Sequence, residues 1–160
     1  MKRVSVALAA YNGERYIRQQ IDSILQQLGD RDELVISDDG STDRTIQIIR
    51  SYTSKDPRVR LLAGHGRGIK QNIAHALANT KGAYIFLADQ DDVWMPDKVR
   101  RGLAVFREKK CHVVVHDCIV TGEDLAQILY PSFFGYRGSG AGVWSNIWKN
   151  KYIGCCMALR

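Results

Sequence analysis

The chain alternates short apolar runs with longer segments in which apolar residues recur every three or four positions. The short runs, rich in β-branched residues and alanine, predict five strands, at residues 3–11, 33–37, 58–63, 83–88 and 112–120. Helical spacing predicts four amphipathic helices between them, around residues 17–28, 46–52, 69–77 and 95–109. A last apolar run, at residues 151–160, predicts one more strand.

Strands that alternate with helices of this length predict an α/β fold, with a mainly parallel sheet and helices on both faces. Ligands of such sheets bind beyond the carboxyl ends of the strands. Polar residues follow three of the predicted strand ends, namely Tyr11-Asn12, Asp38-Asp39 and residues 89–92. Because parallel strands end at the same edge of a sheet, we expect these residues to form one site.

The most crowded of these ends lies in the stretch YIFLADQDDVW, where Asp89, Asp91 and Asp92 follow a buried strand. Neighbouring carboxylates raise one another's pKa, so we expect a cation such as Mg²⁺ or Mn²⁺, which takes carboxylate oxygens together with substrate phosphates. A solvated turn that caps the next helix is the structural alternative. Residues 89–93 also fit the DxDx[TV] motif of haloacid dehalogenase-type phosphatases. That motif belongs on a first strand, whereas three strand–helix units precede it here.

Two further stretches have both a binding and a structural interpretation. The stretch GHGRGIK, residues 64–70, lacks the spacing of a Walker P-loop and of a GxGxxG motif. What is left is a glycine turn at a helix N-terminus, which either accepts an anion or is a plain turn. Asp38 and Asp39, at the tip of the second strand, either accept hydrogen bonds from a ribose hydroxyl or a base N–H, or form an Asx turn.

Composition narrows the classes of partner. The 160 residues are 45% hydrophobic and 25% charged, as in a globular domain. The net charge of +6 favours anionic partners such as nucleotides or a membrane surface, but the basic residues are scattered, so no nucleic-acid partner is expected.

Targeting signals and cysteines complete the compositional picture. No apolar run approaches the ~20 residues of a membrane span, and the N-terminus turns polar too soon for a signal peptide. We therefore expect a cytoplasmic protein. The four cysteines, at positions 111, 118, 155 and 156, have no CxxC spacing and are expected to be reduced thiols.

Four blocks of the sequence together resemble the family 2 inverting glycosyltransferases, which have the Rossmann-like GT-A fold. They are VALAAYNGERYI, ELVISDDGSTDRT, GIKQNIAHAL and GAYIFLADQDDVWMPDKV, in the family's order and within residues 4–120. SDDGSTDRT with LADQDDVW is most similar to the bacterial rhamnosyltransferase-like branch, which builds cell-surface polysaccharides. The resemblance implies transfer of a sugar, with inversion, from a nucleoside-diphosphate sugar (a dTDP- or UDP-sugar) to a saccharide or lipid-linked saccharide.

The resemblance also implies a set of nucleotide-binding residues. Tyr11 and Asp39 would hold the base, with Asp39 accepting a hydrogen bond from a pyrimidine N–H. Asn72, or Lys70 beside it, would lie near the nucleotide, and Asp89 would contact the ribose.

For the metal, the resemblance implies that Asp91 ligates Mg²⁺ or Mn²⁺ and that Asp92 assists or orients it. The cation would stabilise the charge that grows on the leaving diphosphate. The family's catalytic base normally follows a segment similar to IGCCMALR, so we expect it beyond Arg160 and assign it to no residue of this chain.

The expected organisation is a donor-binding core at residues 1–120, followed at residues 121–160 by the incomplete start of an acceptor-side region. The chain is expected to be truncated at its C-terminus, and a lipid-linked acceptor would bring the protein to the inner face of the membrane. The alternative from another class is a nucleotide-binding module without catalysis.

Overall fold

The computed structural model describes residues 3–123, 125–137 and 153–160. The strands are β1 (Val4–Ala10), β2 (Glu33–Asp38), β3 (Val59–Ala63), β4 (Tyr84–Asp89), β5 (Val113–Val115), β6 (Val120–Thr121), β7 (Ile128–Tyr130) and β8 (Met157–Leu159). The helices are α1 (Ile17–Leu25), α2 (Thr45–Thr53), α3 (Ile69–Ala78), α4 (Lys98–Lys109) and α5 (Phe133–Arg137), and Gly154–Cys156 forms a 3₁₀ turn. No helix within the described ranges is long and apolar enough to cross a membrane.

The main sheet has six strands in the order β3-β2-β1-β4-β8-β5. Strands β1 to β4 pair in parallel, which confirms the predicted α/β class. Strand β8 lies antiparallel between β4 and β5, with Ala158 opposite both Phe86 and Val114. Because β8 runs in the opposite direction, it begins at the edge where β4 ends.

The core lies around the two central strands. β1 and β2 are buried along their whole length, as expected for parallel strands with helices on both faces. Helix α1 buries Ile17, Ile21 and Ile24 at the predicted helical spacing. On α4, a Cβ at Gly102 would lie 2.7 Å from the Phe86 ring, so only glycine allows this helix to pack so closely on β4.

The structure corrects two predicted elements near the C-terminus. The single strand predicted at residues 112–120 is wrong, because β5 ends at Val115 and β6 pairs with β7 in a separate two-stranded sheet. The chain turns between them, where the carbonyl of Cys118 accepts the Phe133 N–H at 2.9 Å. The strand predicted at residues 151–160 is shorter, since only Met157–Leu159 is extended within its described part.

Candidate functional site

A cleft of about 630 Å³ lies at the carboxyl edge of the sheet, beside β1, β2 and the start of α3. Its size is that of a small-molecule site. The lining residues are Tyr11, Asp39, Gly40, Gly66, Gly68, Ile69, Asn72 and Gln90. The cleft therefore brings together three of the predicted nucleotide-binding residues, which come from three separate parts of the chain.

Tyr11 presents a free aromatic ring at this cleft. Its side chain is 56% exposed, while its backbone is held on both sides by Gln90. The Tyr11 N–H donates to Gln90 Oε1 at 2.8 Å, and Gln90 Nε2 donates to the Tyr11 carbonyl at 2.9 Å. The ring is thus available for stacking at a position that the end of β4 determines.

Gln90 is a site residue that the sequence analysis did not identify, because the recognisable motif consists of the acids on either side of it. A Cβ at Gly13 would lie only 2.3 Å from Gln90 Oε1. The glycine of the stretch YNG is therefore needed for the Gln90 side chain to reach Tyr11. The signal in the sequence that could have identified Gln90 is its position as a neutral amide between Asp89 and Asp91 at the end of a strand.

The two acids at the carboxyl end of β2, Asp38 and Asp39, have different roles. Asp38 forms an Asx turn, since its Oδ1 accepts the N–H groups of Gly40 and Ser41. The carboxylate of Asp39 instead accepts the N–H groups of Gly66 at 2.8 Å and Gly68 at 2.7 Å. The amides of the glycine turn thus already have an anion from within the protein, and this orients the Asp39 carboxylate at the cleft.

Asn72 joins the two central strands beneath the cleft. Its side chain is 2% exposed, and Nδ2 donates to the carbonyls of Ala10 at 3.1 Å and Ser37 at 2.8 Å. Asn72 Oδ1 has no hydrogen-bond partner among the described residues. Lys70 is exposed in the first turn of α3 and is not among the residues that line the cleft.

The carboxylates after β4 form a second group beside the cleft. One oxygen each of Asp89 and Asp92 and the sulfur of Cys155 all lie within 4.8 Å of one another. Asp91, the predicted metal ligand, is exposed and is not part of this group. The structure thus brings Asp92 together with Asp89, which was predicted to contact the ribose, and adds a thiol.

The surroundings of this group disfavour negative charge. Burial raises the pKa of Asp89, and the charges of Asp92 and Asp91 raise it further. Burial likewise raises the pKa of Asp92, although the nearby Lys98 acts in the opposite direction. Such crowded, partly desolvated carboxylates are typical of functional sites.

The donor set of this group fits a divalent cation. Two carboxylate oxygens are hard ligands, and a thiolate sulfur is a soft one. The backbones on both sides are held, because Gln20 Nε2 donates to the Asp89 carbonyl at 2.7 Å and Lys98 Nζ donates to the Cys155 carbonyl at 2.9 Å. The sequence predicted only that Cys155 is a reduced thiol, because nothing in the local sequence indicates that β8 starts beside Asp89.

Lys98 and Trp94 pack against each other beside the carboxylates. The Lys98 ammonium lies 4.1 Å from the centroid of the Trp94 ring, a favourable cation–π arrangement. Burial lowers the pKa of Lys98. Trp94 itself is 5% exposed and packs against Phe86, so its position is in the core.

The comparisons with known proteins agree with this architecture. A family model described as Glycosyl transferase family 2 matches residues 5–160. Chondroitin synthase of Pasteurella multocida (strain Pm70) is 36% identical over 113 residues, which are 71% of this chain and 12% of that protein.

Two solved structures show the same fold. S. aureus TarS in complex with UDP-GlcNAc has a TM-score of 0.64 at 25% identity, covering 72% of this chain and 34% of that one. Glucosyl-3-phosphoglycerate synthase from Mycobacterium tuberculosis, in complex with Mn²⁺, UDP and phosphoglyceric acid, has a TM-score of 0.61 at 26% identity, covering 71% of this chain and 42% of that one. The chain thus spans less than half the length of these three proteins. The family model nevertheless covers nearly all of the chain, and the chain belongs to glycosyl transferase family 2, with the GT-A fold.

Proposed function

We propose that this chain binds the donor of a metal-dependent glycosyltransferase, which moves a sugar with inversion from a nucleoside-diphosphate sugar to an acceptor hydroxyl. The observation that carries the proposal is one continuous edge of the sheet. A nucleotide-sized cleft lies there, next to the carboxylates of Asp89 and Asp92. Gln90 links the two, because it follows Asp89 in the chain and lines the cleft.

In this proposal the cleft holds the nucleoside. The exposed ring of Tyr11 stacks on the base, a contact that is sequence-tolerant and worth about 1–3 kcal/mol per base in other nucleotide sites. A carboxylate has about four acceptor positions, and three amides of the glycine turn donate to Asp39. One position is left for a pyrimidine N–H. Lys70, exposed in the first turn of α3, and Asn72 lie near the nucleotide.

The carboxylates after β4 hold the cation of the donor complex, with Asp92 and Asp89 as ligands and Asp91 as a further one from the exposed loop. When bound, Mg²⁺ or Mn²⁺ supplies Lewis-acid stabilisation of the leaving diphosphate. Lys98 contributes a positive charge beside the same group. The complexes of relatives with UDP-GlcNAc and with UDP and Mn²⁺ support this assignment.

Transfer with inversion requires a base that deprotonates the acceptor hydroxyl. We propose that this base lies outside these 160 residues, that residues 1–120 are the donor-binding core, and that residues 121–160 begin an acceptor-side region. Residues 124 and 138–152 of that region lie outside the described residues. The acceptor would be a saccharide or lipid-linked saccharide at the inner face of the membrane. The role would be rhamnosyl-type synthesis of bacterial surface polysaccharide.

Calorimetric titration with UDP, dTDP and GDP, each with Mn²⁺ or with EDTA, tests the proposal. We expect metal-dependent binding of one pyrimidine nucleotide and little or no sugar transfer. Tyr11→Ala should weaken binding without unfolding the protein, because the ring is exposed and the hydrogen bonds with Gln90 are made by the Tyr11 backbone. Tyr136→Ala, at another exposed tyrosine, is the matched control. A folded wild-type protein that binds none of the three nucleotides would overturn the proposal.

A further inference from the structure

We propose that Cys155 is a metal ligand together with Asp89 and Asp92, and that the site therefore prefers a thiophilic divalent cation, such as Co²⁺, Zn²⁺ or Cd²⁺, over Mg²⁺. The inference rests on the proposed function in one respect, since it concerns the cation of the same donor site. It changes the expected ligand set, because carboxylates alone favour Mg²⁺ or Mn²⁺.

The first support is the way in which the fold delivers the sulfur. Ala158 of β8 lies opposite Phe86 in the antiparallel pair, and the 3₁₀ turn Gly154–Cys156 that precedes β8 lies against β4. The Cys155 side chain is 8% exposed. Its sulfur lies within 4.8 Å of oxygens of both Asp89 and Asp92, so the thiol is buried and directed at the two carboxylates.

The second support is an imbalance of donors and acceptors. A thiol has one proton and can donate to only one of the two carboxylates. Lys98 does not resolve this, because its ammonium donates to the backbone carbonyl of Cys155 and lies over Trp94. A cation can accept electron pairs from both oxygens and from the sulfur at once, without a proton on either acid.

The third support is that the backbone at Asp89 and at Cys155 is already fixed by hydrogen bonds in the absence of a cation. The fully buried Gln20 donates to the Asp89 carbonyl, and Lys98 holds the Cys155 carbonyl. These contacts fix the backbone at both ligand-bearing residues, so less conformational freedom is lost when their side chains bind a cation.

The chemistry of binding balances simply. The divalent cation forms bonds to one oxygen of each carboxylate and to the sulfur, and the thiol proton passes to solvent. The site so formed carries one net negative charge. These three ligands alone leave at least one coordination position open, which Asp91 from the exposed loop or diphosphate oxygens of the donor can occupy.

The experiment is a titration of the full 160-residue chain with Co²⁺ and with Cd²⁺, without nucleotide, followed by ultraviolet absorption. Bonds from thiolate to these metals give charge-transfer bands that oxygen ligands do not give. We expect such bands in the wild type. We expect them to disappear in Cys155→Ser, with at least about a tenfold loss of Cd²⁺ affinity and no change in Mg²⁺ affinity.

Cys111→Ser is the matched control, because Cys111 precedes β5 and so lies at the opposite edge of the sheet from Cys155. Bands that are absent from the wild type, or that persist in Cys155→Ser through Cys118 or Cys156, would overturn the inference. If Cys155→Ser fails to fold, Cys155→Ala replaces it, and absence of bands from the wild type overturns the inference without any variant. Mn²⁺-dependent nucleotide binding without any band would leave the proposed function standing, whereas absence of nucleotide binding with every metal would reject that function instead.

Discussion

Acids at the two opposite edges of the same sheet have opposite surroundings. At the amino edge, Glu33 is 1% exposed and fully partnered. Its carboxylate accepts hydrogen bonds from the Ser5 hydroxyl, the Lys81 N–H and the Arg60 guanidinium. Burial alone would raise the pKa of Glu33, but these bonds and the charge of Arg3 hold it below its ordinary value.

At the carboxyl edge, burial and mutual repulsion instead raise the pKa of Asp89 and of Asp92. Structural and functional acids in this fold therefore differ in how many of their acceptor positions are filled from within the protein. An acid whose acceptor positions are filled from within the protein stabilises the native state. Acids that crowd one another without enough internal donors lower stability, and such acids are typical of functional sites.

The largest expected effect concerns the amino edge. Glu33→Ala leaves the Arg60 and Lys81 donors without their buried partner, so we expect a loss of about 3–5 kcal/mol in the free energy of unfolding. Urea denaturation measures it. Glu108→Ala, at an exposed acid paired with Lys109, should cost less than about 0.5 kcal/mol. Equal effects of the two substitutions would break the comparison.

The next effect concerns the carboxyl edge. Asp92→Asn removes a charged ligand, and we expect Mn²⁺-dependent nucleotide affinity to fall about 10- to 100-fold. Because repulsion with Asp89 is relieved, the metal-free protein should be as stable as the wild type or more stable. Calorimetric titration and urea denaturation test the two parts, with Asp97→Asn as control. An Asp92→Asn protein that is less stable than the wild type but binds nucleotide normally would show that Asp92 is a structural acid and not a metal ligand.

A smaller effect is expected at the link between the two halves of the site. Gln90→Ala removes both hydrogen bonds to the Tyr11 backbone, each worth about 1 kcal/mol at most at an exposed position. We expect a loss of nucleotide affinity of about threefold to tenfold, because the ring of Tyr11 is no longer fixed. Gln26→Ala, at an exposed glutamine after α1, should bind like the wild type. Unchanged affinity in Gln90→Ala would mean that Tyr11 needs no such support.

The smallest effect is a difference in pH dependence, measured in EDTA. Glu33 has a lowered pKa, so its stabilisation is present above its unfolded value of 4.5 and is lost as pH falls below it. Asp92 has a raised pKa, so its charge costs stability at neutral pH, and this cost is relieved as pH falls toward 3.8.

Urea denaturation from about pH 7 to about pH 3 separates the two edges. Asp92→Asn should lack the relief on acidification, and any stability it gains over the wild type should shrink as pH falls. Glu33→Gln should lack the loss at acid pH. Identical pH slopes in both variants and the wild type would show that neither acid titrates differently on folding.

Much of the fold was predictable from the sequence. The first four strands and the four long helices follow from apolar periodicity, which is a local property of the chain. The C-terminal part was not predictable in the same way, because β5 and β8 have three residues each. Three residues are too few to show the alternation of apolar and polar positions that marks a strand. In addition, the antiparallel position of β8 depends on a partner that is distant in the chain, β4.

The candidate site, like the fold, has features that the local sequence predicts and features that depend on distant parts of the chain. The sequence by itself determined that Tyr11, Asp39 and the acids after β4 stand at strand ends, and parallel pairing then brings them to one edge. Only the tertiary structure decided that Asp89 and Asp92 share a group from which Asp91 is excluded, that Gln90 holds Tyr11, and that Cys155 joins the carboxylates. The physical reason is that a side chain's direction after a strand depends on the backbone of its loop and on partners far away in the chain, and neither is encoded in local spacing.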